Sequence, residues 1–90
     1  MDESEFKHLV TSLNYKVKKF ESHPQVFGSW LAVIKADKKE YRIVYEGRDT
    51  YLQLQEGTGR NKWLNIKGQD IHALGPEQEL NLIKQWLNAT

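Results

Sequence analysis

The sequence predicts an α+β fold, an antiparallel four- to five-stranded β-meander with N-terminal and C-terminal helices packed on one face. Three observations carry this expectation. Apolar residues recur at helical spacing near both ends of the chain. Between them, three or four segments alternate apolar with polar residues. The links between those segments are short enough that consecutive strands must be antiparallel neighbours.

The first helix opens at Asp2 or Ser4, and Asp2 with Glu5 has capping-box spacing. Phe6, Leu9, Val10 and Leu13 then form one apolar stripe. Residues 15–21 read two ways. Val17 and Phe20 extend the stripe, whereas Tyr15-Lys16-Val17-Lys18-Lys19 also alternates. Asn14 is a suitable helix terminator and favours a strand from Tyr15 to Glu21. Ser22-His23-Pro24-Gln25 reads as a turn, because Pro24 has no N–H and pushes His23 into extended geometry.

Ser29–Lys35, Tyr41–Tyr45 and Tyr51–Gln55 are the clearest strands, separated by turns around Asp37-Lys38-Lys39 and Gly47-Arg48-Asp49. Gly57-Thr58-Gly59 reads as a break, and Lys62–Ile66 as a short further strand. The closing helix places Pro76 at its first position after Gly75, with Glu77 and Glu79 in its first turn. Leu80, Ile83 and Leu87 line its apolar face, widened by Leu82 and Trp86.

With Lys38-Lys39 and Arg48-Asp49 as two-residue hairpin loops, Ile34 opposes Ile43 and Ala32 opposes Tyr45. Ile43 then faces Leu54, and Tyr45 faces Leu52. One face collects Trp30, Ala32, Ile34, Ala36, Tyr41, Ile43, Tyr45, Leu52 and Leu54, and becomes the core. The other collects Leu31, Val33, Lys35, Arg42, Val44, Glu46, Tyr51, Gln53 and Gln55. Lys16 and Lys18 join it if the Tyr15 strand forms, and Trp63 joins it if Leu64 and Ile66 point inward. Both helices are spent on the core, so this second face is open.

Ninety residues suit one domain, residues 1–90, which buries a little over roughly 60% of its unfolded surface. Apolar residues make up 39% and charged residues 28%, with three tryptophans, a composition that folds rather than remaining disordered. A net charge of +1 does not point to a polyanion partner. Cysteine is absent, which excludes disulfides and thiolate chemistry. The acidic start and the lack of a long apolar run predict a cytoplasmic protein without membrane association.

His8, His23 and His72 are not at metal-ligand spacing, and Asp37, Asp49, Glu46 and Glu56 fall in turns and at strand ends. Nothing resembles a nucleophile elbow. The run Gly57–Lys62 lacks P-loop spacing and is followed by a strand rather than a helix. No catalytic residue, cofactor or metal is therefore expected. The element order resembles the double-stranded-RNA-binding domain. However, Trp63-Leu64-Asn65-Ile66 intervenes after the Gly-rich turn, and the last helix begins with acidic Pro76-Glu77-Gln78-Glu79, which would repel phosphates.

The run from Tyr41 to Asp49, followed by Leu52-Gln53-Leu54-Gln55, resembles the central hairpin of small bacterial α+β proteins. These include uncharacterised families and immunity proteins that neutralise a toxin by binding it. The likeness spans about residues 28 to 56 and carries over no functional residue. It implies a compact binder acting by surface complementarity. The expected function is thus a non-enzymatic protein-binding module of immunity or adaptor type. Its contacts would be Leu31, Val33, Arg42, Val44, Tyr51 and Trp63, with a protein partner or a second copy of itself. The alternative is a single-stranded nucleic-acid binder, with Lys16, Lys18, Lys35 and Arg42 following phosphates and Tyr51 or Trp63 stacking on bases.

Overall fold

A computed structural model describes residues 1–89. Helix α1 (Glu3–Ser12) is followed by β1 (Lys16–His23), β2 (Ser29–Ala36), β3 (Lys39–Glu46), β4 (Tyr51–Gly59) and β5 (Lys62–Asp70), and helix α2 (Pro76–Asn88) closes the chain. The strands form one sheet in sequence order, every neighbouring pair antiparallel. This is the predicted α+β meander, with five strands.

Asp2 caps α1 by accepting the Ser4 N–H at 3.0 Å, a single bond in place of the expected box with Glu5. Asn14 takes a left-handed φ of 68°, which ends the helix and decides the ambiguity of residues 15–21 in favour of a strand. That strand starts one residue later than expected and runs on through Ser22 and His23, which pair with Trp30 and Ser29. The turn is thereby pushed to Pro24–Gly28. At the far end, β4 runs through Gly57 and Thr58 to Gly59 instead of breaking there, and β5 continues past Ile66 to Asp70. Strand pairing overrides the local turn preference of glycine in both cases. The reversal falls at Arg60-Asn61, where Asn61 takes a positive φ.

The β2–β3 register corrects the sequence reading. The two-residue loop is Asp37-Lys38, not Lys38-Lys39, so Ile34 pairs with Tyr41 and Ala32 with Ile43. The expected register would have set Lys35 opposite Arg42, whereas the observed one sets it opposite Glu40. Like charges directly across a pair destabilise it and opposite charges favour it. A slip of two residues preserves the pleat, so no side chain changed face. Between β3 and β4 the pairs Ile43–Leu54 and Tyr45–Leu52 are as expected, although the loop spans Gly47 to Thr50 rather than Arg48-Asp49 alone.

The core face carries buried Trp30, Ala32, Ile34, Tyr41, Ile43, Leu52 and Leu54, with Tyr45 packed at its edge. Phe6 and Val10 of α1 and Ile83, Trp86 and Leu87 of α2 close over it. Each such large side chain contributes about 1.5–3 kcal/mol by burial. Phe6, Phe20 and Trp30 form an aromatic triangle with centroids 5.5 to 5.7 Å apart, pinning α1 to β1 and β2. The Tyr15 hydroxyl donates to the Leu87 carbonyl at 3.5 Å and ties the end of α2 to the start of the sheet. The helices do not cover β5. Leu64 occupies the helix-side face opposite Glu56, yet it is 56% exposed, so the expectation that it points inward holds for its face and not for its burial.

Candidate protein-binding face

The pleat places Leu31, Val33, Arg42, Val44 and Tyr51 on the face away from both helices, where all five are half-buried. Trp63 joins them, because β5 pairs Trp63 with Gly57 and Asn65 with Gln55. The six predicted contact residues therefore share one surface. Leu31 lies directly across from Val44, and Val33 across from Arg42. On the edge strand, Lys18 and Lys19 both sit against Val33 through a bulge. The bulge keeps Phe20 in the core while Lys18 reaches across to the open side.

Arg42 is the most constrained polar group here. Its Nε donates to Gln55 Oε1 at 2.6 Å, and Gln55 in turn donates from Nε2 to Asn65 Oδ1 at 2.7 Å. The guanidinium carbon lies 4.5 Å from the centroid of the Trp63 ring, a cation–π arrangement. Partial burial pulls the Arg42 pKa below the ordinary arginine value. Among the described residues no carboxylate lies within ion-pair distance of it. The side chain is thus held in place while its charge stays unneutralised.

Two lysines of this face are matched locally. Lys18 Nζ bonds Glu40 Oε1 at 2.7 Å, and Lys19 Nζ bonds Glu21 Oε1 at 2.9 Å. The hydrogen bond from Lys18 holds the Glu40 carboxyl below its usual pKa, with Lys35 adding to the effect. Tyr51 lies flat across β5, and a Cβ built on Gly68 would stand 2.3 Å from its hydroxyl oxygen. Only glycine leaves room for the ring to lie down there. A shallow depression of about 360 Å³ is bordered by Lys18, Lys19, Leu31, Val33, Arg42 and Trp63, among others.

Single-sequence reasoning located the face but missed the Arg42–Gln55–Asn65 relay, the Arg42–Trp63 stack and the Lys18–Glu40 pair. Each joins residues whose proximity depends on a bulge or on the β4–β5 register. It also passed over Val26 and Phe27, which stand 47% and 69% exposed in the β1–β2 turn, Phe27 with a positive φ of 54°. Among the described residues no group of histidine, cysteine and acidic side chains is arranged to hold a metal, and no helix is long and apolar enough to cross a membrane. Comparison with protein-family models, curated proteins and solved structures finds no match.

Proposed function

We propose that this chain is a non-enzymatic protein-binding module, of immunity or adaptor type, that engages its partner through the open sheet face. The observation that carries the reading is an arginine fixed by Gln55 and Trp63, left without a carboxylate, beside an apolar strip of Leu31, Val33 and Val44. Preorganised arginine and aromatic side chains are the types that most often dominate interface energy, since little rotamer freedom remains to be lost on binding. Leu31, Val33 and Val44 supply apolar contact, Tyr51 and Trp63 supply flat aromatic area, and Arg42 supplies directional hydrogen bonds.

Single-stranded nucleic acid is the weaker occupant. The lysines lie near one end of the face, but Glu21, Glu46 and Asp70 lie toward the other and would repel a phosphate chain. One face of the Trp63 ring is moreover taken by Arg42. The test is capture with the tagged domain as bait, comparing wild type with a Val44→Ser/Tyr51→Ser variant. Proteins held by the wild type should be lost by the variant while its circular dichroism is retained. With a purified partner the affinity should fall at least about tenfold. Equal capture by both would refute the reading.

A further inference from the structure

The pairing registers order the open face into four cross-strand rows, and charge separates along them. The two rows nearest the β2–β3 turn contain Lys16 and Lys35, then Lys19 with Lys18 and Arg42, against the single carboxylate of Glu40. The two rows at the opposite end contain Glu21, Glu46 and Asp70 and no lysine or arginine. Leu31, Val33 and Val44 occupy the middle. The face is therefore basic at one end, apolar across the centre and acidic at the other.

Such a surface is complementary to itself in one orientation. Two sheets stacked face to face about a two-fold axis have two simple choices. An axis along the strands lays basic rows on basic rows, whereas an axis across the strands lays basic rows on acidic rows. We propose that the open face pairs with a second copy of the chain in the second orientation, the strands running antiparallel across the interface. The proposal rests on the reading of this face as a protein-binding surface and names its occupant.

In this arrangement each strand lies over its own counterpart. Glu40, already bonded to Lys18, comes opposite Glu46 of the other copy with Lys35 one strand spacing away from that Glu46, and Tyr51 lies over Gly57 of the other. Leu31 and Val33 lie next to the axis, each over the other's counterpart. The size also fits. Five strands about 4.8 Å apart and eight residues of about 3.4 Å rise give a face of roughly 24 by 27 Å, on the order of 650 Å². That approaches the roughly 800 Å² per partner of a specific interface.

The decisive experiment is a charge swap read by sedimentation equilibrium over a concentration series. The wild type should associate to twice the 10.6 kDa of one chain, less strongly as salt screens the end-to-end attraction. Lys35→Glu and Glu46→Lys each reverse a contact made twice in a two-fold interface, so each alone should weaken pairing roughly tenfold or more. An equimolar mixture should restore it, because opposite charges then meet at both ends. Both positions are exposed, and circular dichroism confirms that each variant is folded. Leu31→Asp, which sets carboxylates close together near the axis, should break the pair independently.

A wild type that stays monomeric up to about 1 mM, where even weak specific pairs associate, overturns the proposal. So does a dimer indifferent to the charge variants, or a mixture no stronger than its components. A monomeric result removes self-pairing alone. The binding reading is then decided separately by whether Val44→Ser/Tyr51→Ser loses a different protein.

Discussion

Replacing Gly47 with alanine tests how tightly the β1–β2 turn is seated on the β3–β4 loop. A Cβ at Gly47 would stand 1.8 Å from the Phe27 carbonyl oxygen and 2.7 Å from its carbonyl carbon, whereas real Cβ contacts essentially never fall below 3.0 Å. The Phe27 carbonyl must retreat by at least about 1.2 Å, and because it is backbone it cannot rotate aside. The turn is held by Val26 N–H to the His23 carbonyl and Ser29 N–H to the Val26 carbonyl, both 2.9 Å. The Ser29 hydroxyl also accepts the Gly47 N–H at 2.9 Å. Overpacking of this kind costs about 1–3 kcal/mol, and a broken hydrogen bond adds about 0.5–1.5 kcal/mol. The stiffer unfolded chain returns about 0.4–1 kcal/mol. The net loss should be about 2 kcal/mol, which lowers Tm by roughly 8–16 °C in a domain of this size. Urea unfolding followed by tryptophan fluorescence, with thermal circular dichroism, measures it. A Gly47→Ala midpoint within about 0.5 kcal/mol of wild type, the ordinary range for a surface change, would refute the close approach.

The tryptophans should separate core from site. Trp30→Ala should cost about 3–5 kcal/mol in urea unfolding, as a buried aromatic does, while Trp63→Ala should cost about 1–2 kcal/mol, for a half-buried ring and its cation–π contact. If Trp63→Ala proves as costly as Trp30→Ala, Trp63 belongs to the core and not to the open face. Asp70 accepts the His72 N–H at 2.8 Å and the Thr50 hydroxyl at 3.1 Å, and the first of these chiefly depresses its pKa in the folded state. A depressed carboxylate contributes stability that is complete above its unfolded value and is lost as pH falls through the folded one. Asp70→Ala should therefore lower the thermal midpoint at pH 7, and the gap should close once the pH falls below about 3.8 and through the folded value. A gap independent of pH would show that the charge of Asp70 contributes nothing.

Much of this fold could be read from residue order because strand side chains alternate with a period of two. Trp30, Ala32, Ile34, Ile43, Leu52 and Leu54 reach the core under the expected β2–β3 register and under the observed one alike, since a two-residue slip leaves parity unchanged. Asn14 likewise marked the helix end correctly from its tolerance of left-handed geometry. Glycine misled at Gly57-Thr58-Gly59. Local turn preference is weak beside a ladder of backbone hydrogen bonds, and β4 ran through Gly57 to end at Gly59.

For β2, β3 and β4 the sequence by itself determined which residues face the helices and which face away, because alternation is a local property of an extended chain. The bulge that returns Phe20 to the core was instead set by the pairing of β1 with β2. Position along the strands, and so the neighbour each charge meets, was decided only in three dimensions. Whether Lys35 lies across from Arg42 or Glu40, whether Lys18 reaches Glu40, and whether Trp63 lies under Arg42 all depend on loop length and on bulges in β1 and β5. Those are set by the summed pairing of whole strands, an energy no single segment contains. The segregation of positive from negative rows on the open face arises at that level, as does the exposure of Leu64 on a fifth strand that neither helix reaches.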